Sequence, residues 1–223
     1  MQAAVPPADL NQERPVRDMF STPTDEASLQ GRNDNVELLK AWVGTSLAFA
    51  IAMMGGQVLQ YFVPFLYALA IATVTTGIGF LLHELAHRVV ARRFGAQAHF
   101  VANNGWLLIS IAVAFFGMFV AAPGAVWHRG YLTMRQGGLI ALAGPATNLV
   151  LALIFFAGFQ TLSPQSAILG DLCQVGYRIN AWLGLFNMIP AGPFDGAKVL
   201  AWDWRVFAAT VALGLLLTFG IRI

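Results

Sequence analysis

Charge is what this chain of 223 residues has least of: 11% are Asp, Glu, Lys or Arg, against 57% hydrophobic. Soluble domains carry about 25% charged residues, so a freely soluble globule is excluded and a membrane protein is expected. Cysteine is nearly absent too. The single Cys173 rules out an internal disulfide and a cysteine-rich metal site, and reads as a small buried apolar side chain. Four histidines are too few for the several histidine clusters of a membrane iron oxidase or desaturase. Glutamate is scarce and one-sided, with none after Glu84. A dense basic surface is missing as well. The nine cations beyond residue 40 are scattered beside apolar spans, a topology signal that excludes a nucleic-acid partner.

What charge there is lies unevenly. Residues 1–40 carry four cations and seven anions, a net −3, and the remainder nets +5. Residues 1–37 are polar and hold four prolines, so they read as a solvated, largely disordered tail. Without a basic start and an apolar core, no cleavable signal peptide is expected there. Residues 38–223 form an integral membrane domain. Its apolar segments run over 38–54, 64–94, 137–159, 168–190 and 206–221, about five transmembrane helices in an all-α polytopic protein. The stretch 106–122 is short for a crossing and reads as re-entrant. Arg88, Arg92 and Arg93 close the second segment, so that end, and with it the N-terminus, is expected on the cytoplasmic side.

The second segment ends in the stretch "GIGFLLHELAHRVVARRFG" (77–95), which carries HExxH as His83, Glu84 and His87. Residues four apart share a helical face, so both imidazoles can reach one Zn2+ and Glu84 can contact its water. His83 lies about 28 Å along the helix from Pro64, within or near the inner edge of the hydrocarbon. Two histidines and a glutamate at that depth are costly unless they bind something or line a wet cavity. A catalytic zinc takes a third protein ligand, and the downstream candidates are His99, His128, Asp171, Asp195 and Asp203. Asp195 is favoured, because Pro190 and Pro193 interrupt its helix and Asp195-Gly196 can turn a carboxylate towards a neighbour. His99 and His128 read as interfacial histidines, Asp171 as a helix cap, and Asp203 with Arg205 as a surface pair.

HELAH in one span, Gly144-Pro145-x-x-Asn148 in the next full span, and Asn187-x-x-Pro190 running to Asp195-Gly196 occur in this order. Together they resemble the site-2 protease family of intramembrane zinc metalloproteases, over roughly residues 66–200. The resemblance implies that His83, His87 and Asp195 bind Zn2+ and that Glu84 is the catalytic base. It also suggests Asn148 as a substrate or oxyanion contact, and Asn187 is a second candidate of that kind; for either one the alternative is interhelical hydrogen bonding. The partner would be a membrane protein cleaved within or near a transmembrane helix, the site opening to the cytoplasm. The PDZ insertion and C-terminal regulatory domain of some members are not seen in this stretch. A zinc transporter, or a non-catalytic relative that binds membrane helices, is the alternative.

The ligand set constrains topology. His83 and Asp195 must share one depth, so residues 98–137 must leave and return on one side. The segment is therefore expected to form a hairpin with extended portions near 98–102 and 124–132. Either portion could take an unwound substrate by strand addition.

Overall fold

The computed structural model describes residues 33–119, 124–129, 131–221 and 223. The reading of residues 1–37 as a tail therefore lies, up to residue 32, outside the described residues. The first helix, α1 (Asp34–Met54), begins four residues earlier than the expected span. Asn33 caps it by accepting from Asn35 N–H, and Asp34 and Glu37 sit in its first turn, where the positive helix end favours them. It stops at Gly55, whose φ of 56° other residues rarely adopt.

A short 3-10 turn (Gly55–Leu59) leads to one apolar rod, Phe62–Arg93. Its parts are α2 (Phe62–Ala72), a π turn (Thr73–Gly77) and α3 (Ile78–Arg93), which carries HELAH. The π turn leaves the Thr73 carbonyl to accept from Trp42 Nε1 at 3.3 Å. A methyl group on Gly77 would sit 2.2 Å from Ser46 Oγ, so α1 crosses α2–α3 at close range there. Arg92 and Arg93 occupy the last turn of α3, and Gly95 (φ 80°) reverses the chain beyond it.

Between α3 and the next long helix the chain leaves and returns through two paired strands, the hairpin expected. Strand β1 (Gln97–Ala102) pairs antiparallel with β2 (Gly124–Arg129), Gln97 opposite Arg129 and Ala102 opposite Gly124. The helix between them, α4 (Asn104–Ala114), has 11 residues, about 16 Å, half the hydrocarbon thickness. Ala98, Phe100 and Ala102 bury their side chains against α1 and α3, while Gln97 and His99 face out. Ala102 N–H donates to Glu37 Oε2 at 3.2 Å, and the Ala98 carbonyl accepts from Arg92 Nη2 at 2.7 Å. The even-numbered residues of β1 thus turn their backbone groups away from β2. By register, Gly124 and Val126 turn theirs away from β1. The outer edge of β1 is therefore occupied by side chains of α1 and α3, whereas β2 pairs with β1 alone among the described residues.

Three further helices complete the domain. Helix α5 (Met134–Leu162) opens with a capping box between Thr133 and Gln136. Helix α6 (Ala167–Phe186) returns antiparallel, packing glycines such as Gly176 and Gly184 against Phe155 and Leu149 of α5. A broken stretch leads to α7 (Asp195–Trp202), then to α8 (Trp204–Leu215) with a terminal π turn (Leu216–Gly220). The helices Asp34–Leu59, Phe62–Arg93 and Met134–Leu162 are long and apolar enough to cross a membrane. Helix α6 has the length, 20 residues, but carries Asp171, Gln174, Arg178 and Asn180. Large apolar side chains such as Phe62, Leu108, Ile154 and Phe219 lie exposed on their outer faces. The architecture is that of an all-α membrane protein, and Cys173 is buried in it.

Two smaller expectations need correction. Asp171 does not cap a helix: Ser166 caps α6, and Asp171, inside the helix, accepts from Tyr67 Oη at 2.7 Å. Asp203 does not pair with the Arg205 side chain. It is the N-cap of α8, accepting from the backbone N–H of Arg205 and Val206.

Candidate metal centre

Helix α3 supplies His83 and His87 from one face, both buried where α5 crosses it. The crossing is close because Gly144 has no side chain: a Cβ there would lie 2.4 Å from His87 Nε2 and 2.5 Å from His83 Nε2. Pro145, buried beside it inside α5, has no N–H to leave unpaired. Asp195 comes from the third element. Chain leaving α6 unwinds through residues 187–194, turns at Gly192 (φ 60°) and restarts as α7 at Asp195. Gly196 N–H donates to the Asn187 carbonyl at 2.8 Å. A Cβ on Gly196 would lie 2.2 Å from the Met188 carbonyl oxygen, so this turn closes only around glycine. Phe194, and not Asp195, occupies the cap position, which leaves the carboxylate for the histidines.

The three side chains meet. Asp195 Oδ2 is 3.4 Å from His83 Nε2 and 3.2 Å from His87 Nε2, and the two Nε2 atoms are 3.0 Å apart. The donor atoms of all three lie within 4.8 Å of one another. Each imidazole is held from behind through Nδ1, His83 by Asn148 Oδ1 at 2.6 Å and His87 by the Ile140 carbonyl at 2.7 Å. Asn148 Nδ2 in turn donates to the Gly79 carbonyl and to Asn180 Oδ1, which fixes its amide orientation. Both Nδ1 atoms therefore carry the proton, and both Nε2 lone pairs face one another and the carboxylate. Three electron-rich atoms converging in a buried site repel unless a cation lies among them. Their separations approach the edge of about 3.4 Å that a tetrahedral zinc with 2.0–2.1 Å bonds requires. The residues fit Zn2+.

Glu84 sits one position along α3 from His83, is 7% exposed, and has no hydrogen-bond partner among the described residues. Asn148 is fully buried, and both ends of its amide are spent on His83, Gly79 and Asn180. This places it behind His83 instead of in the substrate contact expected. Asn187 donates to the Leu183 carbonyl at 3.0 Å and accepts from Gly196 through its main chain, at the start of the turn to Asp195. Of the other candidates, His99 pairs with Asp34 at 3.0 Å, away from this set; the His128 side chain lies outside the description. Gly144 was read as part of its motif without this close approach, and the residues that sequence reasoning missed are Asn180 and Lys198. Asn180 carried a signal, a polar side chain deep in an apolar span. Lys198 lies one turn beyond Asp195 on α7, and its charge acts on Glu84 and His87.

A membrane domain with an HExxH helix and a carboxylate brought from a broken helix is a metal-dependent hydrolase by class. Comparison with known proteins agrees. The "Putative zinc metalloprotease MJ0611" of Methanocaldococcus jannaschii is 44% identical over 140 residues, covering 62% of this chain and 73% of that protein. "Putative zinc metalloprotease YwhC" of Bacillus subtilis is 33% identical over 57% of the chain and 66% of its own length. "Putative zinc metalloprotease Rip2" of Mycobacterium tuberculosis is 30% identical over 70% of the chain and 65% of its own length. The chain belongs to this zinc metalloprotease family, and it spans just under two thirds of the last two relatives. No family model and no solved structure matches it.

Proposed function

We propose that the chain is an intramembrane zinc metalloprotease of the site-2 protease kind, cutting peptide bonds within or near transmembrane segments of other membrane proteins. The observation that carries this reading is the meeting of His83, His87 and Asp195 beside a buried Glu84, on a helix apolar enough to span a bilayer.

In this reading His83, His87 and Asp195 hold the ion, and Asn148 and the Ile140 carbonyl keep the imidazoles turned towards it. Bound Zn2+ supplies Lewis acidity, polarising a substrate carbonyl and acidifying water. Glu84 accepts the proton of the water whose oxygen attacks the carbonyl carbon. It then delivers that proton to the amide nitrogen as the C–N bond breaks, so its carboxylate ends as it began. Asn187, at the start of the Asp195 turn, is retained as a substrate contact.

A transmembrane helix hides its peptide groups in its own hydrogen bonds, so the substrate must unwind before it is cut. An extended segment can then add to a strand edge. The edge we assign is the outer one of β2, because that of β1 is taken by Glu37 and Arg92. The basic side chains Arg92 and Arg93 at the C-terminal end of α3 support a cytoplasmic opening and a cytoplasmic N-terminus.

Glu84→Gln tests the function. The variant is expected to keep zinc and to lose cleavage of membrane-protein substrates, read by comparing membrane proteomes of cells carrying each form. Cleavage undiminished by Glu84→Gln would remove the protease reading, and zinc flux across vesicles unaffected by it would favour a transporter.

A further inference from the structure

The first turn of α1 contributes nothing to the metal set, yet three polar contacts tie it and the end of α3 to the sheet. Asp34 accepts from Arg88 and Arg92 of α3, each at 3.4 Å, and faces His99 Nδ1 of β1 at 3.0 Å. Arg92 at the same time donates to the Ala98 carbonyl at 2.7 Å. Glu37, 5% exposed, accepts from Ala102 N–H at the other end of β1 and from Lys40 at 2.7 Å. Asp34 and Glu37 are three residues apart on one helical face, so a single turn of α1 reaches both ends of the strand. Apolar contact follows the same line, with Leu38 and Ala41 packing on Phe100, Ala102 and Phe80.

A two-stranded sheet is marginal alone and takes its position from what it is fastened to. Here the polar fastening is on β1, and β2 adds the packing of Val126 on the same apolar clusters. We propose that Asp34 and Glu37 are positioning residues for peptide binding: they fix β1, and through its register β2, at the depth of the metal centre. This rests on the reading of β2 as the docking edge. Loosening them lowers the affinity for an extended substrate without altering the bond-breaking step, because the converging ligand set is His83, His87 and Asp195 alone.

The test uses the full chain, zinc-loaded in detergent micelles, as Asp34→Asn, Glu37→Leu and Glu37→Gln. Leucine fills the buried position without a charge, so the fold survives the loss of the acceptor, and glutamine restores an acceptor for Ala102 N–H. Amide hydrogen exchange is followed over 97–102 and 124–129, and zinc per chain is measured. KM and kcat are read with fluorescently labelled casein as an extended probe. With the Asp34 ion pairs or the acceptor for Ala102 N–H removed, exchange and KM are expected to rise about tenfold in Asp34→Asn and Glu37→Leu. Zinc and kcat should hold, and Glu37→Gln should stay near wild type. Unchanged exchange and KM would overturn the proposal, as would lost zinc or kcat at constant KM. If the wild type cleaves no probe, the peptidase reading is what fails, and the exchange of 97–102 and 124–129 still decides whether α1 fixes the sheet.

Discussion

At the scale of single residues, the centre depends as much on what stands behind the ligands as on the ligands. Asn148 gives its only side-chain oxygen to His83 Nδ1 and both amide hydrogens to α3 and α6. Asn148→Leu removes this orientation while filling similar volume, and losing the group that orients a ligating histidine weakens metal binding about 10–100-fold. Competition with a chromophoric chelator measures it, and unchanged affinity would return Asn148 to the role of a mere interhelical bond. Gly144→Ala is expected to be more severe, since its Cβ would fall 2.4 Å from His87 Nε2; the readout is zinc per chain. Much of this level was legible in the sequence. HExxH is local, and its geometry follows from helical spacing alone. Asp195 was legible because two prolines break a helix just before it. Asn148 was visible as a residue but not in its role. Which way it faces depends on how α5 is rotated against α3, and the Gly144 contact sets that rotation.

At the scale of elements, the broken helix and the hairpin carry the account. The turn between α6 and α7 aims Asp195, and it closes around Gly196 against the Met188 carbonyl. Gly196→Ala is expected to displace the carboxylate and to lower zinc occupancy while the helical far-UV signal is kept. In the hairpin, register separates two neighbouring substitutions. Val126 N–H faces the outer edge of β2, whereas Ala125 faces β1. Val126→Pro should therefore raise KM for an extended substrate and leave zinc bound, whereas Ala125→Pro should disturb the sheet itself. Equal effects from both would contradict the assigned edge. The hairpin was predictable because His83 and Asp195 must share a depth, which forbids a net crossing within residues 98–137. The π turn at Thr73–Gly77 was not. Its sequence, TVTTG, has no proline or paired glycine to mark it, and the turn forms where Trp42 and Ser46 of α1 press on the rod.

At the scale of the whole molecule, the chain is a membrane domain that gathers five of its buried polar side chains around one point. Asn148, Asn180, His83, Glu84 and His87 are all nine-tenths or more buried and belong to α3, α5 and α6. Unpartnered, each would cost several kcal/mol in hydrocarbon. Zinc therefore stabilises the fold as well as serving the reaction. Raising free zinc to about a hundred times its dissociation constant should add about 2.7 kcal/mol of stability, seen as a higher unfolding temperature that a chelator reverses. Orientation is tested by placing single cysteines beside Arg93 in a Cys173→Ala background. An impermeant thiol reagent should reach them from the cytoplasmic side only.

Three side chains from two helices hold one ion in this reading, and metal analysis of Asp195→Ala shows whether they do. Wild type and variant are purified in the same zinc-buffered solution and their zinc measured per chain. The arrangement of His83, His87 and Asp195 predicts one zinc in the wild type and close to none in the variant. A variant that keeps its full zinc would contradict it.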